Sequence, residues 1–104
     1  MGRPGAETDG AVLEQTDSEV CEPPLFRVLL HNDNYTTMEF VVDVLETVFG
    51  KPREEAERIM LAIHTQGLAV CGVYPHEIAE TKVERVHDLA RQHGFPLRSS
   101  FEPE

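Results

Sequence analysis

Residues 26–38 read FRVLLHNDNYTTM, a stretch in which a strand, a polar turn and a helix start follow one another directly. The apolar run at 26–30 is short and is bounded by Pro24 and the Asn/Asp cluster, which predicts a β-strand. Thr36 and Glu39 have the spacing of a capping box, with Thr36 as N-cap and Glu39 at the third helical position. The stretch therefore predicts a chain that passes from a strand into a helix through a turn of amide and acid side chains.

Three strands and three helices are predicted along the chain in the order β-α-α-β-α-β. Apolar residues at helical spacing, helix-stopping glycines and prolines suited to a first helical turn mark the boundaries. The predicted elements are a strand at 26–30, a helix from Thr36 to about Phe49 with Gly50 as its stop, a helix from Pro52 to Gly67, a strand at 68–74, a helix from Pro75 to Gly94 and a strand at 96–101. Because only Gly50 and Lys51 separate the first two helices, they are expected to form an antiparallel hairpin. The order predicts an α+β sandwich, with a three-stranded antiparallel sheet covered on one side by three helices.

The length of 104 residues and the net charge of -10 limit both the number of domains and the kind of partner. One small domain is expected, and the negative charge argues against nucleic acid or a membrane surface as partner. Residues 1–24 hold six acidic residues and one basic residue, with several glycines and prolines and no sustained apolar period. They are predicted to be a disordered acidic tail, which leaves residues 25–104 as the folded core domain. The tail does not resemble a signal peptide, and no apolar run is long enough to span a bilayer.

Cysteine usage and the absence of catalytic motifs argue against a disulfide-rich protein, an enzyme and a metal-binding protein. Cys21 and Cys71 are too few for a disulfide framework, so two free thiols in a reducing cytoplasm are expected. The 5 histidines accompany no nucleophile motif, no phosphate-binding glycine loop and no zinc-type Cys/His spacing. No general base has an evident partner. We therefore expect no enzymatic activity, no metal and no other cofactor.

A candidate site emerges where the two predicted helices of the hairpin face each other. Five residues have i, i+3 or i, i+4 spacing on the facing sides, namely Met38 and Val41 on the first helix and Met60, Ile63 and His64 on the second. In an antiparallel hairpin these faces meet beside residues 32–34, whose sequence is Asn-Asp-Asn. The result would be an apolar slot with amide oxygens, a carboxylate and an imidazole at its rim, which is the usual construction of a small-ligand site.

A purely structural explanation of the same pattern also stands. Apolar residues at helical spacing are most often core, and an Asn-Asp-Asn run is usually a turn. A histidine near a helix end, such as His64, is often only a favourable partner of the helix dipole. By spacing alone, the structural explanation is the more common one.

Several short motifs occur here in the same order as in one known family. They are Asn32-Asp33-Asn34-Tyr35-Thr36, Met38-Glu39-Phe40-Val41, Met60-Leu61-Ala62-Ile63-His64, Gln66-Gly67, Cys71-Gly72-Val73 and Ala79-Glu80-Thr81-Lys82-Val83. Through them, residues 24–104 closely resemble the ClpS family of protease adaptors. ClpS proteins bind substrates whose N-terminal residue is Leu, Phe, Tyr or Trp, the bacterial N-degrons, and hand them to a Clp-family AAA+ unfoldase.

The resemblance implies the same function for this chain. Its expected partners are N-degron substrates and the N-domain of a Clp unfoldase of the ClpA or ClpC type, and it is expected to be a monomer. A binding module of the same fold without N-degron activity is the alternative. The C-terminal domain of ribosomal L7/L12 is such a fold relative by analogy, and fold alone does not fix function.

The resemblance also implies roles for individual residues. Those that would hold the free α-amino group are Asn32, Asp33, Asn34 and His64. Those that would line the side-chain pocket are Thr36, Met38, Val41, Val44, Met60, Ile63 and Leu97. Glu77 and Lys82 match positions that contact the unfoldase N-domain, and the tail matches, by position only, the extension used during delivery.

Two positions depart from the family pattern. Family members commonly carry two acids after the first Asn of the turn, whereas the second position here is Asn34. An amide keeps an acceptor oxygen but lacks the negative charge. Thr37 stands where Pro is frequent, and either residue suits a first helical turn.

Overall fold

The computed structural model describes residues 22–104, so Cys21 and nearly all of the predicted tail lie outside the described residues. Residues 22–24 form neither helix nor strand. The elements that follow are β1 (Leu25–His31), α1 (Met38–Thr47), α2 (Arg53–Gln66), β2 (Leu68–Pro75), α3 (His76–His93) and β3 (Arg98–Pro103). The predicted order of strands and helices is confirmed.

β1 is the central strand of an antiparallel three-stranded sheet with the order β2-β1-β3. Val28 pairs with Gly72 and Leu29 pairs with Val70, so Cys71 is the extra residue of a β-bulge. The Cys71 side chain lies in the core, where it is 1% exposed. Burial also raises the pKa of the Cys71 thiol to about 12. Cys71 is thus a buried free thiol that packs as a small apolar residue.

The helices cover the sheet and close the core. α3 packs across all three strands, α2 packs on β2, and α1 packs on α2. The largest fully buried side chains come from two strands and two helices: Val28 and Leu30 of β1, Cys71 of β2, Val44 and Leu45 of α1, and Val86 of α3. The predicted sandwich is therefore confirmed. No helix in the described part of the chain is long and apolar enough to cross a membrane.

The N-terminus of α1 differs from the prediction by one residue. Thr37, not Thr36, is the N-cap, and its hydroxyl oxygen accepts a hydrogen bond from the Phe40 backbone N–H at 3.1 Å. The Thr36 hydroxyl is instead engaged with the turn, where it donates to Asp33 Oδ2 at 2.7 Å. Glu39 then occupies the second helical position, so the predicted capping box is wrong.

The connection between α1 and α2 is longer than the two residues predicted. α1 ends at Thr47 with Val48 as its C-cap, and Pro52 is the N-cap of α2 rather than its first helical residue. Gly50 turns the chain with a φ of 64°, and the Lys51 N–H donates to the Leu45 carbonyl oxygen at 3.0 Å. α1 therefore ends before the predicted end near Phe49, and Gly50 lies within the connection rather than directly after the helix.

Candidate functional site

A cavity of about 210 Å³ lies between the turn after β1, the start of α1 and the last turns of α2. It is lined by Asn32, Asp33, Asn34, Thr36, Met38, Val41, Met60, Ile63 and His64. The start of α1 therefore lies beside the end of α2, as an antiparallel hairpin requires. Pockets for small molecules usually measure roughly 300–1,000 Å³, so this cavity suits a single side chain better than a large ligand.

One backbone hydrogen bond joins the two sides of the cavity. The Asn32 N–H donates to the Gly67 carbonyl oxygen at 2.8 Å. Gly67 ends α2 in the left-handed conformation, with a φ of 94°, and its own N–H donates to the Ile63 carbonyl oxygen at 2.9 Å. The turn after β1 is thereby fixed to the C-terminus of α2, which brings residues 32–34 next to His64.

Asp33 organises the turn from within. Its Oδ1 accepts from the backbone N–H groups of Tyr35 and Thr36 at 2.8 and 2.7 Å, and its Oδ2 accepts from the Thr36 hydroxyl. Burial by itself raises the pKa of Asp33, but the hydrogen bonds from Thr36 and Tyr35 outweigh it and lower the pKa below its ordinary value. Asp33 is therefore ionised and holds the turn in place, while its negative charge remains at the rim.

The remaining polar groups at the rim each offer a hydrogen-bond acceptor. The side chains of Asn32, Asn34 and His64 are exposed there. Each amide has a carbonyl oxygen, and a neutral imidazole has one acceptor nitrogen. Among the described residues that line the cavity there is no lysine or arginine. The rim thus suits a group with several N–H donors and a positive charge.

The walls below the rim are apolar. Val41 and Ile63 are 7% and 2% exposed, and Met60 is half-buried between them and the solvent. Met38 is 46% exposed at the opening. The site combines a polar, negatively charged entrance with an apolar interior.

Two residues assigned to the pocket from the resemblance do not line this cavity. Val44 and Leu97 are 1% and 4% exposed, and both belong to the buried core. Val44 is three residues from Val41, but its side chain packs in the core and lines a second cavity on the other side of that helix. Helical spacing alone does not distinguish a residue of the pocket wall from one that packs beside it.

Glu77 and Lys82 lie on α3 and do not line the cavity. Glu77 is exposed in the first turn of α3. Lys82 is half-buried, and its Nζ donates to the Val48 carbonyl oxygen at 2.7 Å while lying 5.4 Å from the centre of the Tyr74 ring. No sequence pattern indicates this intramolecular role of Lys82, because Val48 is far from it along the chain.

Neither the histidines nor the acids form a metal site in the described part of the chain, where no group of three or more His, Cys, Asp or Glu side chains could hold an ion. His87 has a structural role instead, since its Nε2 accepts from the Ser99 backbone N–H at 3.0 Å. This contact joins α3 to β3.

Comparison with known proteins gives one consistent family. Residues 21–100 match the family model described as ATP-dependent Clp protease adaptor protein ClpS. The ATP-dependent Clp protease adapter protein ClpS of Desulforapulum autotrophicum is 56% identical over 98 residues, which cover 90% of this chain and 94% of the relative. The protein of the same name from Nitratidesulfovibrio vulgaris is 59% identical over 86 residues, covering 83% of this chain and 86% of the relative.

A solved structure resembles the fold as well. It is that of Agrobacterium tumefaciens ClpS2 bound to L-phenylalaninamide, with a TM-score of 0.77 and 43% sequence identity. The match covers 80% of this chain and 100% of the Agrobacterium chain. The similarity in sequence and the similarity in structure therefore point to the same relatives.

Proposed function

Because this chain belongs to the ClpS family of ATP-dependent Clp protease adaptor proteins, we propose that it binds substrates by an N-terminal Leu, Phe, Tyr or Trp in the cavity between α1 and α2. An adaptor carries substrates to a protease and is not itself an enzyme. The observation that carries the proposal is the composition of this cavity, which has an acceptor-lined, negative rim over apolar walls. Its size fits one side chain, as a site for a single terminal residue requires.

The rim is proposed to hold the free α-amino group. An ammonium has three N–H donors and no acceptor, so the groups that hold it should be acceptors. The amide oxygens of Asn32 and Asn34 and a ring nitrogen of His64 fill this role. Asp33 contributes mainly negative charge, because three hydrogen bonds within the turn already use its oxygens.

The apolar walls are proposed to hold the first side chain. Met38, Val41, Met60 and Ile63 would contact it, with Thr36 at the entrance, while Val44 and Leu97 support these walls from the core. Burying a Leu or Phe side chain is worth about 1.5–3 kcal/mol. Hydrogen bonds to the ammonium add roughly 1.5–3 kcal/mol.

Met38 is proposed to set the specificity for the first residue. Its side chain stands at the opening, close to where the Cβ of an entering residue would pass. A β-branched residue is wide at Cβ and stiff at its first torsion angle, so Ile and Val would collide with Met38. The relative from Agrobacterium tumefaciens binds L-phenylalaninamide, which has a free amino group and a side chain that is narrow at Cβ.

The protease side of the function is proposed to involve α3. The partner is a Clp AAA+ unfoldase of the ClpA or ClpC type, which would contact the exposed Glu77 and the region around Lys82 with its N-domain. The tail would engage the unfoldase during delivery. We also propose that the adaptor acts as a monomer in the cytoplasm, where such unfoldases would meet it.

Peptide binding measured by fluorescence anisotropy tests the proposal. A Phe-starting peptide should bind. Its N-acetylated form and a Val-starting peptide should each bind at least roughly 10-fold more weakly. For the acetylated peptide, this loss corresponds to the charged hydrogen bonds that the ammonium no longer makes. Asn32→Ala should weaken binding about 10-fold, and the matched amide variant Gln92→Ala, exposed on α3 and outside the site, should not.

Equal affinity for the free and acetylated peptides would overturn the proposal. Binding to an unfoldase N-domain without any binding of the Phe-starting peptide would instead favour the alternative, an adaptor-like module of the same fold without N-degron activity.

A further inference from the structure

A second cavity, of about 580 Å³, lies on the other side of α1. It is bounded by the α1 stripe of Thr37, Phe40, Val44 and Thr47 and by the last turns of α3 with the loop that follows. The adaptor function described above gives this cavity no role. Thr37 directly follows Thr36, which lines the first cavity, so the two cavities are neighbours across the first turns of α1.

The floor of this second cavity is aromatic. The ring centres of Phe40 and Phe95 are 4.9 Å apart, and those of Phe40 and His93 are 5.1 Å apart. Phe40 is 7% exposed and Phe95 is half-buried, so these rings are held by the core and do not need to be ordered by a ligand. Such a preformed aromatic surface binds flat or cationic groups, and arginine in particular.

The rim of the second cavity carries acceptors and negative charge. Glu39 and Asp43 are exposed there. The Nδ1 of His93 lies 3.0 Å from the Leu89 carbonyl oxygen. Because a carbonyl oxygen can only accept, Nδ1 carries the proton, and in the neutral ring Nε2 is an acceptor. Among the described residues around the cavity there is no lysine or arginine.

From this combination we infer that the second cavity binds an arginine side chain of the substrate, three to five residues from its N-terminus. The guanidinium stacks on the Phe40 and Phe95 rings and donates to the carboxylates of Glu39 and Asp43. The inference rests on the proposed function, because it places the substrate's first residue in the first cavity. It extends the specificity of the adaptor from one terminal residue to a short sequence.

The separation of the two cavities fits this spacing. At about 100° per residue, Met38 and the centre of the stripe that contains Phe40 and Val44 face directions about 140° apart on a helix roughly 10–12 Å in diameter. The path around the surface of α1 is thus about 13 Å, and an extended chain covers it in roughly four residues at about 3.3–3.6 Å each. Because an arginine side chain is itself long, a substrate that starts in the first cavity reaches the second with its third to fifth residue.

A peptide series measures the inference directly. Phe-starting peptides otherwise made of Ala, Gly and Ser carry one arginine at position 2, 3, 4, 5 or 6, and each has a partner with citrulline, the neutral isostere, at the same position. By anisotropy at moderate salt, arginine at one or two of positions 3–5 should tighten binding roughly 3- to 10-fold over the parent peptide. The citrulline peptides should lack most of this gain.

Matched charge variants distinguish binding of arginine at this site from its general attraction to an acidic protein. Asp43→Asn should abolish most of the gain from arginine while leaving binding of the parent peptide unchanged. Glu84→Gln removes one charge from an exposed residue of α3 that lines no described cavity, and it should leave the gain intact.

Four outcomes would overturn the inference while the parent peptide still binds. They are no gain from arginine at any position, an equal gain from arginine at every position, an equal gain from citrulline, and equal losses in Asp43→Asn and Glu84→Gln. If arginine gives no gain at any position, the inference fails and the proposed function stands. If the parent peptide itself does not bind, both fail.

Discussion

The backbone N–H of Asn32 donates to the carbonyl oxygen of Gly67 across a distance of 2.8 Å. Asn32 begins the turn after β1 and Gly67 caps the C-terminus of α2, so the two residues are well separated in sequence. Their hydrogen bond sets the position of residues 32–34 relative to His64, and with it the geometry of the rim. The left-handed conformation of Gly67 is what presents its carbonyl oxygen to Asn32.

Replacing this glycine should affect both stability and binding. Gly67 has a φ of 94°, and an added Cβ would meet nothing within 4 Å, so the cost of Gly67→Ala is that of the backbone conformation. We expect the free energy of unfolding to fall by about 1–2 kcal/mol. If the residue relaxes to a negative φ, the Gly67 carbonyl moves and a Phe-starting peptide binds more weakly. Urea denaturation and fluorescence anisotropy measure the two effects.

Gly94→Ala is the matched control for this prediction. Gly94 also caps a helix in the left-handed conformation, with a φ of 75° and open space around it, but it lies at the end of α3. It should show a similar loss of stability with unchanged affinity for the peptide. An equal loss of affinity in both variants would mean that Gly67 acts through general stability alone.

Asn34→Asp should tighten the binding of a Phe-starting peptide. Asn34 is exposed at the rim, and a carboxylate there would keep the acceptor and add a charge facing the ammonium. Because exposed charge pairs are worth about 0.2–1 kcal/mol, we expect affinity to improve roughly 1.5- to 5-fold at low salt, with the gain shrinking as salt is added. Asn34→Ala serves as the comparison without charge or acceptor. Equal or weaker binding by Asn34→Asp would contradict the prediction.

The stabilising effect of Asp33 should depend on pH in the acid range. Hydrogen bonds from Thr36 and Tyr35 lower the pKa of Asp33 in the folded chain. The ionised form is thus favoured by folding, so its contribution is fully present above the ordinary pKa of about 3.9 and is lost as pH falls through the lower folded value. Asp33→Ala should cost about 1–2 kcal/mol near pH 7.

The test compares urea denaturation of the parent chain and Asp33→Ala at several pH values. The difference in unfolding free energy should be constant between pH 5 and 7 and should shrink below about pH 4. Asp43→Ala, at an exposed carboxylate with no side-chain hydrogen bond among the described residues, should change stability by less than about 0.5 kcal/mol. A difference for Asp33→Ala that grows on acidification would have the wrong sign.

Lys82 should contribute to the stability of the free adaptor as well as to any contact with an unfoldase. Its Nζ donates to the Val48 carbonyl oxygen at the end of α1 and lies over the Tyr74 ring. Lys82→Met keeps most of the apolar stem but removes the charge and the donor. We expect the free energy of unfolding to fall by about 1–2 kcal/mol.

Glu77→Gln provides the contrast, because Glu77 is exposed on the same helix. It should change stability by no more than about 0.5 kcal/mol. Weaker binding to an unfoldase N-domain by both variants, with a loss of stability only in Lys82→Met, is the expected pattern. Unchanged stability of Lys82→Met would show that its contact with Val48 contributes little.

Patterns that depend on neighbours in sequence predicted most of the fold. The apolar run of β1, the helical spacing in α1 to α3 and the stops at Gly67 and Gly94 gave the correct elements in the correct order. The error at the start of α1 has a specific cause. Thr36 and Thr37 are both good N-caps by type, and the choice depended on whether the Thr36 hydroxyl was already engaged by Asp33.

Part of the candidate site was also predictable, because that part depends on the spacing of residues along single helices. Met38, Val41, Met60, Ile63 and His64 share helix faces that their spacing makes evident, and the structure brings them together beside the β1 turn. Spacing alone does not decide whether Val44 belongs to that group. In the structure, Val44 packs in the core and lines the second cavity instead.

By itself, the sequence determined the order of the elements, the apolar faces of the hairpin and the acceptor-rich character of the β1 turn, because each follows from the chemistry of residues close together in the chain. Only the tertiary structure decided which groups meet. The hydrogen bond from Asn32 to Gly67, the engagement of Lys82 with Val48 and the aromatic floor formed by Phe40 and Phe95 all join or bring together different elements. Such contacts depend on how helices and strands pack in three dimensions, and no local pattern in the chain encodes that distance.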